Sequence, residues 1–544
     1  MKSRISFFNP GVLKKDITRF SPVWGLYSIL LLILYISLTN NVDGGGEVAY
    51  NMVDMLSISV GLNLVYSLIC AFVLFGDLFK SRLCNALHAM PMRREGWFFT
   101  HLTAGFLFMA VPNGLFALLT ALQMGSFGYI AVWWYVCAFA QFVFFFGAAV
   151  LAMICAGNHL GAAALYGTFN FLPILVYVIF EVLYLPQLPG VVNQFKIFSV
   201  LTPVIEMASA TYLTCHHMSG YHFTITEVFP GAFGYTGICA GVGVLALILA
   251  LSVYKNRQLE HAGDLLSVKS LKYLFLPVCT YGCGTMFFLW GDLLVSGLQD
   301  ILLVIGLVVG FFAGQMLLDK SVRVFRAKAF LALGALVLLL FGTIALTAWD
   351  PIRITRYVPQ AQQVQEVTLQ SRWEGQAVLT EKSDIETVIA IHEAQIETTN
   401  NDDYHRYPFT IDYTLNNGRT VSREYQIVLS PETTEGLLDI FSRWEIIFPT
   451  EDWQSLYAIT EGVYVNGTQI PKEEVEPLLK AIALDCDNRT TAQFSVLHQE
   501  YDNKLWIEFR LNTKGDHIPR YANIQVYSNC ENTLALIEKY DEKN

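Results

Sequence analysis

The sequence predicts a polytopic α-helical membrane protein followed by an α+β domain outside the membrane. Of the 544 residues, 54% are hydrophobic and 15% are charged, and the mean hydropathy is +0.43. Soluble domains carry about 25% charged residues, so this composition is not that of an ordinary soluble protein. The charge is also unevenly divided. Residues 1–348 hold 18 Lys and Arg against 14 Asp and Glu, whereas residues 349–544 hold 17 against 32.

Nine apolar runs in the first 348 residues predict nine transmembrane helices with boundaries good to a few residues. Each is close to the roughly 20 residues that a membrane-spanning helix needs, and backbone groups in lipid must be satisfied within the segment. Buried core helices of a large soluble protein are the alternative, which so many runs in so short a stretch disfavour. The runs lie near 22–39, 56–77, 98–122, 130–155, 161–185, 232–254, 272–290, 298–318 and 329–348.

The distribution of Lys and Arg predicts the topology. Seventeen of the 18 basic residues before position 349 lie in the N-terminal segment and in every second connection, and only Lys196 lies on the opposite side. Basic residues favour the cytoplasmic side, so we expect a cytoplasmic N-terminus. An odd number of spans then places residues 349–544 outside. The first span is predicted to be an uncleaved anchor, since no A-x-A-like cleavage site follows it.

Residues 1–21 predict an amphipathic helix at the inner membrane face. Asn9 and Pro10 are typical of an N-cap and a first helical residue, and an interfacial helix needs one apolar and one basic side. The apolar side would consist of Val12, Leu13, Ile17 and Phe20, and the basic side of Lys14, Lys15 and Arg19.

The loop between the second and third spans predicts a second cytoplasmic contact element. Asp77 could cap a helix in which Leu83, Leu87 and Met90 recur at helical spacing before Pro91 ends it. A plain basic loop that only anchors the topology is the alternative.

The outer loop 186–231 is long, apolar and interrupted by proline, which favours a re-entrant or interfacial helical pair. Pro203 and Glu206 are its candidate functional residues, although a carboxylate solvated at the interface would explain Glu206 equally well. Four polar residues inside the spans are expected to join helices rather than to bind substrate; they are Asn63, Gln141, Asn170 and Gln315. Gly157 and Gly161 form a GxxxG motif, which permits close helix approach.

The acidic C-terminal part alternates strand and helix signals and predicts one α+β domain or two small ones. Ser383 and Glu386 form a capping box, and Asn416-Asn417-Gly418 is a hairpin turn between two strand-like runs. The remaining signals are strands at 408–415, 420–428, 505–511 and 524–527 and helices beginning near Ser430-Pro431, Pro471 and Asn532. Cys486 and Cys530 are the only cysteines here and could form a disulfide.

Motifs for catalysis are absent from the sequence. There is no G-x-x-x-x-G-K-[ST] phosphate loop, no H-E-x-x-H and no G-x-S-x-G. The cluster Cys215, His216, His217 and His222 has poor spacing for a metal site, so no metal is expected. The acidic balance of the C-terminal part also argues against nucleic acid as a partner.

Several stretches resemble the permease subunits of ABC-2 type exporters of Gram-positive bacteria, in the form that carries an extra C-terminal extracytoplasmic domain. The stretches are CNALHAMPMRREGW at 84–97, GNHLGAAALYGTFNFLP at 157–173, FSVLTPVIEMAS at 198–209, YKNRQLEHAGD at 254–264, DKSVRVFRAK at 319–328 and DPIRITRYVP at 350–359. The likeness covers nearly the whole chain but is diffuse, and it names no substrate.

The resemblance implies a six-helix core at 22–254, three additional helices at 255–348 and an outer domain at 349–544. It also implies a cytoplasmic ABC ATPase subunit that holds ATP and Mg²⁺, so this chain would need no cofactor, and a second permease subunit, identical or not, in the cell membrane. The expected contacts with the ATPase subunit are Arg82, Leu83, Leu87, Met90, Pro91, Arg93, Arg94 and Glu95.

The resulting hypothesis is an export permease that moves an amphipathic, peptide-like or lipid-like substrate with ATP hydrolysed by the separate subunit. A membrane sensor or scaffold whose outer domain binds a ligand without transport is the alternative. A membrane enzyme acting on lipid-linked glycans is a third hypothesis, and it would need converging acids. Glu181, Glu206, Glu227 and Asp292 are available, but no spacing unites them.

Overall fold

The computed structural model divides the chain into two compact units. The helical unit comprises residues 1–182 and 194–342, and the C-terminal unit comprises residues 183–193 and 343–544. The structure describes residues 8–40, 45–80, 93–193, 195–208, 230–257, 265–268, 270–295, 297–371, 375–398, 407–427, 431–448, 450–490, 503–512 and 521–540.

Among these described residues, nine helices are long and apolar enough to cross a membrane, which is compatible with a multi-pass membrane protein. They agree with the nine predicted runs to within several residues at most ends. A short α1, Pro10–Arg19, precedes them. The nine are α2 Ser21–Thr39, α3 Gly45–Phe75, α4 Arg94–Met124, α5 Tyr129–Cys155, α6 His159–Ile179, α8 Pro230–Asn256, α9 Leu271–Leu294, α10 Gln299–Asp319 and α11 Ala327–Trp349, with the shorter α7 at Phe195–Leu201.

Helix α5 forms the centre of the helical unit. In its most apolar stretch 78% of the residues are buried, compared with 17% in α2 and in α11. The exposed leucines and isoleucines of α2 and α11 have the character of surface that faces lipid or another apolar partner. The packing therefore distinguishes an interior helix from peripheral ones, although the mean hydropathy of the peripheral α11, 2.6, exceeds the 2.2 of the central α5.

Polar side chains join α3 to α5 inside the unit. The Asn63 Nδ2 atom donates to the Ala138 carbonyl and to Gln141 Oε1, at 3.0 Å each, and the Ser59 hydroxyl donates to the same Gln141 oxygen at 2.8 Å. Asn63 and Gln141 are 1% exposed. These amides act as joints between helices, as predicted for polar groups in apolar surroundings.

Helices α9 and α10 approach closely because α10 carries glycines at every fourth position. A Cβ atom on Gly306 would lie 2.7 Å from the Cys283 carbonyl oxygen, and one on Gly310 would lie 2.6 Å from Cys283 Cβ. Gly314 continues the row against Cys279. The two cysteines are thus packing residues, and this row of small residues is the helix–helix contact of the GxxxG type.

The GxxxG pair at Gly157 and Gly161 has a different role from the predicted one. Gly157 lies in the turn between α5 and α6, and Gly161 lies in the first turn of α6. A side chain at Gly161 would collide with the Leu265 carbonyl oxygen. The motif therefore makes room for a loop and does not bring two helices together.

The C-terminal unit contains two antiparallel sheets and is mixed α and β, as predicted. The five-stranded sheet has the order β1-β5-β4-β2-β3, and the four-stranded sheet has the order β7-β6-β8-β9. The strands are β1 Gly190–Val191, β2 Val364–Ser371, β3 Gly375–Leu379, β4 Tyr407–Leu415, β5 Thr420–Ile427, β6 Thr460–Val465, β7 Thr468–Gln469, β8 Asn503–Leu511 and β9 Tyr521–Tyr527. The helices are α12 Lys382–Thr398, α13 Pro431–Phe441, α14 Trp444–Ile447, α15 Trp453–Ile459, α16 Lys472–Asp487 and α17 Glu531–Ile537.

The two sheets belong to a duplicated ββαββα motif. The first repeat runs β2-β3-α12-β4-β5-α13 and the second runs β6-β7-α16-β8-β9-α17, with the same strand order in both sheets. Residues 409–415 read FTIDYTL and residues 505–511 read LWIEFRL. Each repeat buries its own apolar core. The duplication is not evident in the sequence, because only the alternating apolar positions are kept.

The predicted hairpin is confirmed, and two local predictions differ from the structure. Gly418 has φ +78° in the turn that joins β4 to β5, as a short hairpin turn requires. Helix α12 begins at Lys382, so Ser383 lies inside its first turn instead of capping it. The predicted outer element 186–231 is also divided, because Gly190 and Val191 pair with Glu424 and Arg423 of β5 and belong to the C-terminal unit.

The core of the first repeat contains a polar group that the second repeat lacks. His392, which is fully buried, contacts the Tyr413 hydroxyl through Nδ1 at 3.0 Å and the Tyr425 hydroxyl through Nε2 at 2.8 Å. The matching position of α16 is Ile482, also fully buried. Burial lowers the pKa of His392 to about 4, with a further contribution from the Arg423 cation.

The glycine row predicts the effect of one added methyl group. Gly306→Ala should destabilise the protein by about 1–3 kcal/mol through overpacking, because the new Cβ has no room beside Cys283. The matched control is Gly334→Ala on α11, where nothing lies within 4 Å of the added atom. Thermal unfolding of the purified full-length chain measures both. Equal melting temperatures for the two variants would contradict the packing described.

The buried imidazole predicts an acid-sensitive C-terminal unit. The folded pKa of His392 lies below the unfolded value of about 6.5, so the unfolded chain binds the proton first. Stability is therefore complete above pH ~6.5 and falls as the pH drops towards about 4, by about 3 kcal/mol for this group. Pulse proteolysis of the full-length chain in urea measures the loss. The triple variant His392→Ile, Tyr413→Phe, Tyr425→Phe should show a flatter pH profile, and an unchanged profile would refute the assignment.

Candidate functional site

Helix α1 packs against α4 at one end of the helical unit. We call this end the basic end, and it comprises α1, the first turns of α4 and α6, and the last turns of α5 and α8. Asn9 Oδ1 accepts hydrogen bonds from the Gly11 and Val12 amides, and Pro10 is the first helical residue, as predicted. The backbone N–H of Asn9 donates to the Thr100 hydroxyl of α4 at 3.2 Å. The residue that caps α1 therefore also attaches this helix to α4.

A buried acid–histidine pair makes the second attachment of α1. Asp16 Oδ2 lies 2.8 Å from His101 Nδ1, and both side chains are more than nine-tenths buried. The two atoms are within ion-pair distance, but the donor and the acceptor are not aligned as a hydrogen bond requires. The Trp97 ring packs 4.1 Å from the imidazole ring, centroid to centroid. Two buried polar groups in contact hold α1 in one position, since separating them leaves each without a partner.

The apolar side of α1 faces the unit, and its basic side is exposed, as predicted. Leu13, Ile17 and Phe20 pack on the apolar core, whereas Lys14 and Lys15 are exposed. Arg19 Nη1 also reaches Asp77 Oδ2 at 3.2 Å. Because Arg19 is about half exposed, this second ion pair contributes little to stability.

Arg94 binds the C-terminal end of helix α8. Its Nη1 atom donates to the carbonyl oxygens of Lys255 at 3.0 Å and Arg257 at 3.3 Å. Beside it, Glu95 Oε1 lies 3.4 Å from Lys255 Nζ. The last carbonyls of a helix lack partners and carry partial negative charge, so a guanidinium there is favourable. The start of α4 is thereby tied to the end of α8.

Arg257 repeats this arrangement one helix further on. Its guanidinium donates to the carbonyl oxygens of Ile154 at 3.1 Å and Ala156 at 2.9 Å, which end helix α5. Ser267 adds a backbone bond to the Cys155 carbonyl at 2.8 Å. A cleft of about 460 Å³ lies beside Arg257. Arg94 and Arg257 thus connect α4 to α8 and α8 to α5.

The predicted ATPase-contact residues fall into two groups. Arg82, Leu83, Leu87, Met90 and Pro91 lie outside the described residues. Arg93, Arg94 and Glu95 lie at the start of α4 at the basic end. Arg93 is exposed there, and Arg94 and Glu95 are partly buried and contact α8. Of these three residues, Arg93 has the most accessible side chain.

The predicted outer element has its two candidate residues on a short helical segment at 203–208 that follows α7. Pro203 begins the segment, and Glu206 Oε2 accepts a hydrogen bond from the Ser199 hydroxyl at 3.2 Å. Met207 is buried in a cluster with Phe144, near the middle of α5. The segment thus packs on α5 through Met207, and the rest of the predicted element, 209–229, lies outside the described residues.

Cys486 and Cys530 are both buried in the core of the second repeat, and both are free thiols. The Cys530 thiol donates to the Thr490 carbonyl at 3.2 Å. Burial raises the pKa of the Cys486 thiol, and so do nearby acids and Cys530 itself. The predicted pairing is thus not formed in this structure. Among the described residues no group of three or more His, Cys, Asp or Glu could hold a metal ion.

Asp16 and His101 of the basic end are not singled out by the sequence motifs, whereas Arg257 belongs to the stretch 254–264 that carries the family resemblance. Asp16 lies at helical spacing among Leu13, Ile17 and Phe20, and a carboxylate on an apolar stripe indicates a buried partner. The helices that His101 and Arg257 contact are not indicated by the sequence, because each of them is remote in the chain.

No protein family, curated protein or solved structure matched this chain. What the protein does is therefore inferred from its own residues.

The buried pair predicts that Asp16 anchors α1. Asp16→Ala should destabilise the protein by about 1–3 kcal/mol and release α1 from α4, because the buried His101 side chain would lose its polar partner. Arg19→Ala is the matched control on the same helix and should change stability by less than about 1 kcal/mol. Thermal unfolding and proteolytic cleavage within residues 10–19 measure the two effects. Indistinguishable variants would show that the pair does not hold the helix.

Proposed function

We propose that this chain is the permease subunit of an ATP-driven exporter whose ATPase is a separate polypeptide. The proposal places the nine apolar helices in the cell membrane with the basic end in the cytoplasm and the C-terminal unit outside. The observation that carries it is the connected basic end. The chain has no phosphate loop, so in this proposal ATP binds to the partner, and the basic end links four helices through Asp16, Arg94 and Arg257.

Such a network suits a membrane protein on which a partner subunit exerts force at one end. Force applied at Arg93 and the preceding loop would reach α8 through Arg94 and α5 through Arg257. Because α5 is the central helix, its displacement would repack the surrounding spans as rigid bodies. Helix α1 would move with α4 through the Asp16–His101 contact.

The proposed assembly contains a second permease subunit, and the substrate path lies between the two. The peripheral helices α2 and α11 present apolar side chains that suit lipid or such a partner. An amphipathic substrate, peptide-like or lipid-like, fits a path bounded by apolar helices. The segment with Pro203 and Glu206 would form the outer end of this path.

Charge reversal at Arg93 tests the ATPase contact. The full-length chain is co-expressed with each ABC ATPase subunit encoded in the same genome, and co-purification and ATP hydrolysis are measured. Arg93→Glu should weaken the association about tenfold or more and reduce the stimulation of ATP hydrolysis, because an exposed cation is reversed at the proposed interface. Lys328→Glu makes the same charge change at the exposed start of α11, outside the proposed contact, and should have little effect.

Two outcomes would overturn the proposal. One is that no ATPase subunit associates with the chain, or that Arg93→Glu and Lys328→Glu behave alike. The other concerns orientation: a cysteine placed at position 93 should react with a membrane-impermeant maleimide only after the cells are opened. Labelling of intact cells beyond the wild-type background would place the basic end outside.

A further inference from the structure

The second repeat carries aromatic side chains on its open sheet face where the first repeat carries threonine. Asp412 of β4 and Glu508 of β8 occupy the same position of the two repeats. The cross-strand partners of β4 and β8 then give the equivalent residues on the neighbouring strands. In this alignment Thr368 corresponds to Tyr464, Thr410 to Trp506 and Thr420 to Tyr521, and Thr414 corresponds to Arg510.

Two of these rings are exposed, and Tyr464 is partly buried. Trp506 is 40% exposed and Tyr521 is 56% exposed, whereas the alternate residues Leu505, Ile507 and Phe509 are buried in the core. An antiparallel sheet with one face packed on helices normally shows polar residues on the other face. The first repeat does so with threonine and builds the same sheet. The fold therefore does not require the rings, and exposed Trp and Tyr on one face are typical of a contact surface.

The two charged side chains named on this face, Arg510 and Glu508, are paired with each other. Arg510 Nε donates to Glu508 Oε1 at 3.0 Å, and the Arg510 guanidinium lies 4.0 Å from the centroid of the Tyr464 ring. Asn523 and Gln525 lie beside them on β9, across from Glu508 and Trp506. The charges of Arg510 and Glu508 thus offset each other, although residues 349–544 as a whole carry far more acids than bases.

We propose that this face, comprising Tyr464, Trp506, Glu508, Arg510, Tyr521, Asn523 and Gln525, binds an extended neutral carbohydrate chain. Aromatic rings pack against the C–H faces of sugar rings, and planar amide, carboxylate and guanidinium groups reach two neighbouring hydroxyls at once. The described part of β6, β8 and β9 places no aliphatic side chain on this face, unlike a surface for lipid or for an apolar peptide. The offset charges of Arg510 and Glu508 match a ligand that carries no charge.

The spacing of the rings indicates the size of the ligand. Trp506 pairs with Gln525, and Tyr521 pairs with Arg510. The two rings are thus four residues apart along the strands, which is about 13 Å. A single small molecule does not reach both, so several linked sugar units are needed. This inference does not depend on transport or on the orientation of the helices.

Binding of defined hexasaccharides to the full-length chain tests the proposal. The chain is placed in lipid nanodiscs, because maltoside detergents would compete with a sugar ligand. Calorimetry then measures chitohexaose, cellohexaose and maltohexaose. We expect at least one to bind, and Trp506→Thr to weaken that binding about tenfold or more. The variant introduces the residue of the first repeat and should fold, which its thermal unfolding checks.

Two control variants distinguish sugar binding at this face from sugar binding elsewhere on the chain. Trp506→Phe keeps a ring and should retain part of the affinity, and Val378→Thr changes an exposed apolar residue of the other sheet and should have no effect. Binding should also persist from about 0.1 M to about 1 M salt, because a neutral ligand is not attracted by charge. Failure of all three sugars to bind, equal binding by Trp506→Thr, or selection of peptides instead of sugars on this face would overturn the proposal.

Discussion

The helical unit depends on how its helix ends are satisfied at the basic end. A helix leaves its last carbonyls without partners, and these groups are costly to bury among apolar side chains. Here two arginines from neighbouring elements donate hydrogen bonds to these carbonyls: Arg94 to the end of α8, and Arg257 to the end of α5. Since neither arginine lies on the helix that it caps, satisfying the backbone also couples the helices. The proposed route from an external ATPase to the central helix follows from this requirement.

The two repeats of the C-terminal unit share one fold but differ in their buried polar groups and in their open sheet faces. Both repeats keep the alternating apolar positions that bury their cores. The first repeat has placed polar groups inside, at His392 and its two tyrosines, while its open face remains threonine-rich. The second has Ile482 in place of the histidine, buries Asp485 against Thr533, and carries aromatic residues on its open face. The comparison of the two repeats therefore shows which side chains the shared fold does not require.

The sequence predicted the elements better than the site. The nine apolar runs, the α1 cap and the β4–β5 hairpin follow from local rules of length, capping and turn chemistry, and each lies close to its predicted position. The function of Gly161 and the division of 186–231 did not follow. Their partners, Leu265 and strand β5, are remote in the chain, and periodicity contains no information about remote partners.

Hydropathy and strand alternation are local properties, so the sequence alone predicts apolar helices followed by a mixed α and β part. Three features are visible only in the folded chain: which helix is central, which arginine caps which helix, and the contact of Asp16 with His101. It also decided that two sheets with little sequence likeness are one motif repeated. The physical reason is that burial and pairing depend on contacts across the fold, where many sequences satisfy the same apolar pattern.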